Sequence, residues 1–110
     1  LLHLIHFQKF KIMINIKVHE SYKLVVAMCD SNIIGKKFEQ ENLQLDLVER
    51  FYKGEELSFE EAKKHIEKHA MEDATFNIVG EEAIKAAMEA GIIEQAHIGR
   101  IANIPYTIAI

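Results

Sequence analysis

The sequence predicts a small single-domain α+β protein in which a mostly antiparallel sheet packs against two helices. Its 110 residues suit one domain, and a content of 49% apolar and 27% charged residues is typical of a soluble globular protein. Alternating apolar patterns occur towards both ends of the chain, and two helical patterns lie between them. Strands on either side of a helix pair favour the α+β class.

The first part of the sheet is predicted from apolar alternation and from one continuous apolar run. Residues 14–18 alternate with a period of two, whereas residues 22–29 (YKLVVAMC) are apolar on nearly both faces. Together they predict an antiparallel hairpin whose second strand is central in the sheet. Further along, Leu43, Leu45 and Leu47 alternate with polar residues and predict a third strand with one buried face.

The first helix is marked by its N-terminal residues. Ser58 and Glu61 match a capping box, in which the serine side chain caps one free amide and the glutamate reaches back to another. A closing hairpin is predicted at residues 97–101 and 104–108, where Ala102 and Asn103 form the turn and asparagine tolerates a positive φ.

The second helix is predicted at residues 81–90, and Gly91 suits its left-handed C-terminal end. Two interpretations are open for the apolar run TFNIV before Gly80. Either the run stops at the glycine and the helix begins there, or the helix begins earlier, near Asn77, and contains Gly80.

Composition and charge restrict the classes of function. The lone Cys29 excludes an internal disulfide framework and fits a reducing cytoplasm. No segment approaches the roughly 20 apolar residues that span a bilayer, so no membrane association is expected. The net charge is −4, and without residues 1–12 the chain has 11 basic and 17 acidic side chains. Such a domain is a poor general binder of polyanions, although a local basic patch is compatible with it.

Residues 1–12 differ from the rest of the chain, because they contain Lys9 and Lys11 but no acidic residue. We expect them to be a non-native or disordered extension ahead of Met13, with residues 13–110 forming the domain. The alternation of apolar residues from Phe10 onwards leaves a longer first strand as an alternative.

Two groups of residues suggest chemistry but favour a simpler interpretation. His65 and His69 lie one helical turn apart and could share a metal, yet the glutamate of a zinc-protease motif is not in its place. A solvated helix flank is the favoured interpretation, and no metal or other cofactor is predicted. Cys29 and Asp30 end an apolar strand, where the aspartate would raise the pKa of a nucleophilic thiol. A core cysteine and a capping aspartate are the favoured interpretation.

Two further segments are candidates for binding an anion. Gly35, Lys36 and Lys37 form the best local basic feature, with Arg50, Lys53 or Arg100 as possible neighbours in the fold, but they lack the pattern of a phosphate-binding loop. Gly80 precedes a helix N-terminus, which attracts anions. However, Glu81 and Glu82 occupy the first turn and would repel a phosphate.

A set of short segments carries a family resemblance: Cys29-Asp30, Ile34-Gly35-Lys36, Phe38, Leu43-Gln-Leu-Asp46, Phe51-Tyr52-Lys53-Gly54, Glu60-Glu61-Ala62 and Asn77-Ile-Val-Gly80-Glu81. Together they resemble an archaeal family known as domain of unknown function 424, from about Met13 to Ile110. Near the C-terminus, Asn103-Ile-Pro105-Tyr106 stands where the family more usually has a Gly-x-Pro-His turn, and Tyr106 in place of the histidine argues against an essential imidazole there. The resemblance implies a soluble cytoplasmic α+β protein and a link to translation, and it transfers no catalytic residue.

The sequence thus favours a non-catalytic binding or adaptor module for RNA or for a translation-associated protein. The candidate binding residues are Asp30, Gly35, Lys36, Lys37, Asn77, Gly80 and Glu81. The alternative is a small-molecule enzyme or ligand-binding domain with Cys29, Asp30 and Asn77 in one cleft. A homodimer formed through an exposed strand or an apolar helix face is a further expectation.

Overall fold

The computed structural model describes residues 11–109 and confirms the α+β class. Within these residues, eight strands of three to seven residues form the largest class of regular structure, and two of the three α-helices are longer than one turn. Two 3₁₀ turns are present, at Ser31–Ile33 and Gln95–His97. The elements in chain order are β1 (Ile14–Glu20), β2 (Leu24–Asp30), β3 (Lys37–Gln40), β4 (Leu43–Asp46), α1 (Glu49–Tyr52), β5 (Glu55–Leu57), α2 (Phe59–Ala70), β6 (Thr75–Val79), α3 (Glu81–Glu89), β7 (Gly99–Ile101) and β8 (Ile104–Ala109).

The main sheet has six strands in the order β5-β1-β2-β6-β8-β7. Neighbouring strands are antiparallel except for β2 and β6, which run parallel. The first and last hairpins, β1–β2 and β7–β8, are the two that the sequence predicts. In the last one, Ala102 (φ 50°) and Asn103 (φ 66°) both have positive φ, as a tight two-residue hairpin turn requires.

The sheet differs from what the sequence predicts at three points. The predicted third strand exists as β4, but it pairs with β3 in a separate two-stranded sheet and not in the main sheet. Of the two interpretations of the run before Gly80, the first is correct, because the run ends at the glycine and α3 begins at Glu81. The run itself forms β6, a strand between the two helices that the sequence did not predict. The short edge strand β5 was not expected, because two of its three residues are the exposed Glu55 and Glu56.

The termini of both long helices follow the local signals in the sequence. At the start of α2, Ser58 Oγ accepts the Glu61 amide at 3.2 Å, and Glu61 Oε1 accepts the Ser58 amide at 2.9 Å, so the capping box is confirmed. Gly91 follows α3 with a φ of +81°, the left-handed conformation predicted for this position.

The sheet is covered on both faces, so the fold has three layers. Helices α2 and α3 pack on the first face over a core that includes Ile14, Met28, Ile66 and Ile78. A covering layer, residues 31–54, packs on the second face and contains the 3₁₀ turn, the β3–β4 hairpin and α1. The second core lies beneath it and contains the buried residues Ala27, Cys29, Leu47, Tyr52 and Val79.

The expected extension at residues 1–12 stays a prediction, because residues 1–10 lie outside the described part of the chain. Residues 11 and 12 are exposed and precede β1, which begins at Ile14. Among the helices of residues 11–109, none has the length and apolar content needed to cross a bilayer.

Candidate functional site

Asp30 and the first turn of α3 form the most heavily buried polar contact in the region of the candidate residues. Strands β2 and β6 are parallel, so their C-terminal ends meet at one edge of the sheet, where Asp30 lies beside Gly80. The Asp30 carboxylate accepts the backbone N–H of Glu82 at 3.0 Å and that of Ala83 at 2.8 Å. Gly80 occupies the N-cap position of α3 and has no side chain to cap it, so a residue from another strand does so.

Gly80 is required at this position for two reasons. Its φ is +112°, a conformation that residues with a Cβ rarely adopt. A Cβ added there would lie 2.4 Å from the carboxyl carbon of Asp30. The absence of a side chain thus allows the aspartate to reach the helix amides.

Burial dominates the electrostatics of this cap. It raises the pKa of Asp30 to about 6, although the hydrogen bonds from the Glu82 and Ala83 amides favour the charged form and lower the pKa. The neighbouring carboxylates of Glu82 and Glu81 raise it slightly further. The helix amides are thus engaged by a carboxylate of the same chain, which adds a reason against a phosphate site at Gly80. Glu81 itself accepts a hydrogen bond from Arg100 Nη1 at 3.1 Å.

Cys29 and Asn77 lie on the opposite face of the sheet from Asp30. Along β2, Cys29 and Asp30 are adjacent and therefore point to opposite faces, and Asn77 pairs with Ala27 on the Cys29 side. Cys29 is fully buried, and burial, reinforced by the negative charge of Asp30, raises the pKa of its thiol to about 12. The three residues do not form the single cleft that the alternative hypothesis requires, and the thiol stays protonated at neutral pH.

Asn77 has a structural partner on this second face. Its Oδ1 accepts a hydrogen bond of 2.8 Å from the hydroxyl of Tyr52, which lies on α1. Burial raises the pKa of Tyr52 to about 12, which keeps the phenol protonated as a donor. This contact ties the covering layer to β6 and accounts for the asparagine in the middle of an apolar strand.

The basic loop at residues 34–37 runs alongside the start of α1. Gly35 N donates to Leu47 O at 2.7 Å, and Leu47 N donates to Lys36 O at 3.0 Å. A Cβ on Gly35 would lie 3.8 Å from Glu49 Oε1, so the glycine faces the first turn of α1. Lys36 and Lys37 are both exposed.

Of the three basic residues expected near this loop, Arg50 and Lys53 lie on and just after α1, whose first residue, Glu49, faces Gly35. Lys53 Nζ is 3.9 Å from Glu49 Oε2, and Arg100 lies in β7 and is bound to Glu81. Lys17, which the sequence did not indicate, joins the group through its Nζ, which donates to Arg50 O at 2.7 Å. We refer to Lys17, Lys36, Lys37, Arg50 and Lys53 as the basic cluster.

An aromatic pocket beside the basic cluster was missed in the sequence. His19 stacks on Phe51 with ring centroids 4.5 Å apart, and its Nε2 donates to Phe51 O at 2.8 Å. Phe51 also contacts Tyr52 edge-on at 4.9 Å. The only signal was that Phe51 and Tyr52 carry the family resemblance, because nothing local in the sequence brings His19 in β1 to α1.

The interpretation of the two α2 histidines as a solvated helix flank is wrong for His69, which is buried. Its Nδ1 contacts Glu72 Oε1 at 2.7 Å, and its ring centroid lies 6.2 Å from that of His65. Between residues 11 and 109, no group of three or more histidine, cysteine, aspartate or glutamate side chains is arranged to hold a metal ion.

A family model described as a protein of unknown function (DUF424) matches residues 18–110. The chain belongs to this family. The resemblance inferred from its motifs is therefore confirmed, and the motifs of this DUF424 chain now have positions in the fold. Cys29-Asp30 and Val79-Gly80-Glu81 meet at the α3 cap, whereas Asn77 and Tyr52 meet under the covering layer.

The fold of this DUF424 chain is shared with a protein of known structure. A crystal structure of an uncharacterized conserved protein from the archaeon Methanopyrus kandleri matches with a TM-score of 0.80, over 87% of this chain and 89% of that chain. The two sequences are 24% identical, so the match shows the fold alone. No curated protein matches the sequence.

Proposed function

We propose that this chain is a cytoplasmic, non-catalytic binding module that binds RNA in connection with translation. The observation that carries the proposal is the basic cluster on the covering layer, beside an aromatic pocket. In this pocket His19 and Phe51 are partly exposed, whereas Tyr52 is buried. Positive side chains next to accessible aromatic rings are the usual composition of a surface for single-stranded RNA, because the charges neutralise phosphates and the rings stack on bases.

The distribution of charge supports this surface over the rest of the molecule. The covering layer has four basic side chains (Lys36, Lys37, Arg50, Lys53) and four acidic ones (Glu39, Glu41, Asp46, Glu49). The other described residues, 11–30 and 55–109, have 8 basic and 13 acidic side chains. A polyanion is therefore repelled least at the covering layer, and Lys17 adds a further positive charge there.

The proposal of a non-catalytic module follows from how the reactive groups are engaged. The Cys29 thiol is buried and protonated, the Asp30 carboxylate caps α3, and His69 contacts Glu72. Each group has a structural role in the described fold, and such roles compete with acid–base or nucleophilic chemistry.

Filter binding with ribosomal and transfer RNA tests the proposal. Wild-type protein should retain RNA at about 50 mM salt, and its affinity should fall steeply as the salt concentration rises. The K36E/K37E variant should bind less tightly and should lower the slope of log affinity against log salt by roughly one for each lysine. The matched control is K64E/K68E, which makes the same change of charge at exposed positions of α2, on the other side of the sheet.

If K36E/K37E and K64E/K68E lose the same RNA affinity, binding depends only on the net charge of the protein and not on the basic cluster. If the wild type retains no RNA at low salt, the RNA proposal is refuted. Affinity purification of the tagged native protein would then identify a protein partner, provided that K36E/K37E loses it and K64E/K68E does not. A homodimer stays a prediction from the sequence, and sedimentation velocity measures it directly.

A further inference from the structure

Beside the basic cluster lies a cavity of about 490 Å³ lined by His19, Asp46, Val48, Arg50, Phe51 and Tyr52. Its volume lies in the range of small-molecule sites, and its lining combines aromatic rings with both signs of charge. We propose that this cavity binds one unpaired base of single-stranded RNA and selects guanine. The inference rests on the RNA-binding function proposed above and assigns the site at which a base is read.

The aromatic walls of the cavity are held in place before any ligand binds. The planes of His19 and Phe51 differ by 14°, and the imidazole is fixed by its hydrogen bond to the Phe51 carbonyl. Tyr52 stands edge-on to Phe51, and its hydroxyl is fixed by Asn77. Tyr52 is only 7% exposed, so the stacking surface consists of the exposed parts of the half-buried His19 and Phe51 rings, which are held in place at little cost in conformational entropy.

Positive side chains flank the cavity on two sides. Lys17 is two residues from His19 in β1, so the two side chains lie on the same face of the sheet. On the other side, Lys37 pairs with Asp46 across the β3–β4 hairpin, and cross-strand partners share a face. A base in the cavity would therefore have phosphates on either side of it within reach of lysine side chains, and Arg50 lies in the cavity wall.

Asp46 gives the cavity a preference among the bases. An ionised carboxylate only accepts hydrogen bonds, and its two oxygens suit two adjacent donors. On the pairing edge of guanine, the ring N–H and the amino group are adjacent donors. Adenine and cytosine offer one donor beside an acceptor, and uracil has one donor between two acceptors. The carboxylate therefore favours guanine and opposes the other three bases.

Fluorescence anisotropy with labelled RNA octamers tests the site. Uridine octamers with a single central guanine or adenine serve as probes for the full chain at low salt. The wild type should bind the guanine octamer about tenfold more tightly than the adenine octamer. Phe51→Leu removes the stacking ring and should weaken both complexes about tenfold. Phe59→Leu is the matched control, because Phe59 is a half-buried phenylalanine on α2, away from the cavity.

A second variant tests base selection without disturbing the second core. Asp46→Asn should remove the preference for guanine and leave binding of the adenine octamer within about twofold. Glu39→Gln is its control, because Glu39 is exposed on the same hairpin, two residues from Lys37, and makes the same change of charge. Circular dichroism and thermal melting establish that all four variants are folded.

The outcomes separate this inference from the broader proposal. If K36E/K37E weakens RNA binding but F51L and D46N bind both octamers as the wild type does, RNA binding stands and the base site is refuted. If the wild type binds neither octamer nor natural RNA at low salt, both are refuted. Loss of the guanine preference in E39Q as well as D46N would show a general effect of charge and would also refute the base site.

Discussion

In the Asp30→Asn variant, the residue that caps α3 keeps nearly its shape but loses its charge. Asp30 is only 3% exposed and accepts two amides of α3, at 2.8 and 3.0 Å. Asparagine has nearly the same shape but only one acceptor oxygen, so one amide of the first turn loses its partner. The variant also cannot ionise, so the difference between it and the wild type reports the titration of Asp30.

The sign and size of the effect follow from the pKa. Burial raises the pKa of Asp30 from 3.8 to about 6, so the folded state binds the proton more tightly than the unfolded state. The stabilisation is therefore fully present below the unfolded pKa and is lost as the pH rises through about 6. At about 1.4 kcal/mol per pKa unit, the wild type should gain about 2 kcal/mol relative to D30N between pH 7 and pH 4.

Urea unfolding followed by far-ultraviolet circular dichroism, from pH 4 to pH 7.5, measures this difference. Other groups titrate in the same range, and the lowered pKa of Glu61, caused by its hydrogen bonds to Ser58, acts with the opposite sign. Their contributions are common to both proteins and cancel in the difference. The reasoning is refuted if the two proteins have the same pH dependence, or if acidification weakens the wild type relative to D30N.

Three further predictions concern the α3 cap and the second core. Gly80→Ala should cost about 3 kcal/mol, because the new Cβ would lie 2.4 Å from the carboxyl carbon of the capping aspartate at a φ of +112°. Gly91 also has a positive φ, but a Cβ added there would meet no atom within 4 Å. Gly91→Ala should therefore lower the free energy of unfolding by only about 1 kcal/mol in the same urea titration. Equal losses of stability in the two alanine variants would contradict the argument from the clash. Tyr52→Phe should lower the free energy of unfolding by about 1 kcal/mol, because the 2.8 Å hydrogen bond to Asn77 is lost. A double-mutant cycle with Asn77→Ala that shows no coupling energy would contradict this prediction. Cys29 should not react with an aromatic disulfide reagent until urea unfolds the protein, because the thiol is buried with a pKa of about 12; rapid reaction in native buffer would show otherwise.

The candidate site could be predicted only in part. Lys36 and Lys37 stand out locally as a basic pair after a glycine, and both are exposed. Lys17 and His19 carry no such signal, because they reach α1 only through the packing of residues more than 30 positions apart in sequence. The cavity between them is thus a property of the covering layer on the sheet and not of any one segment.

Features that depend on near neighbours could be predicted from residue order. The capping box of Ser58 and Glu61, the left-handed end at Gly91 and the turn at Asn103 each involve residues within about four positions, so their backbone preferences and short hydrogen bonds are readable from the residue order. By contrast, long-range packing makes TFNIV a strand parallel to β2 and brings Asp30 to the start of a helix 52 residues away. Such contacts depend on strand register and on which face each side chain occupies, and residue order alone does not specify these.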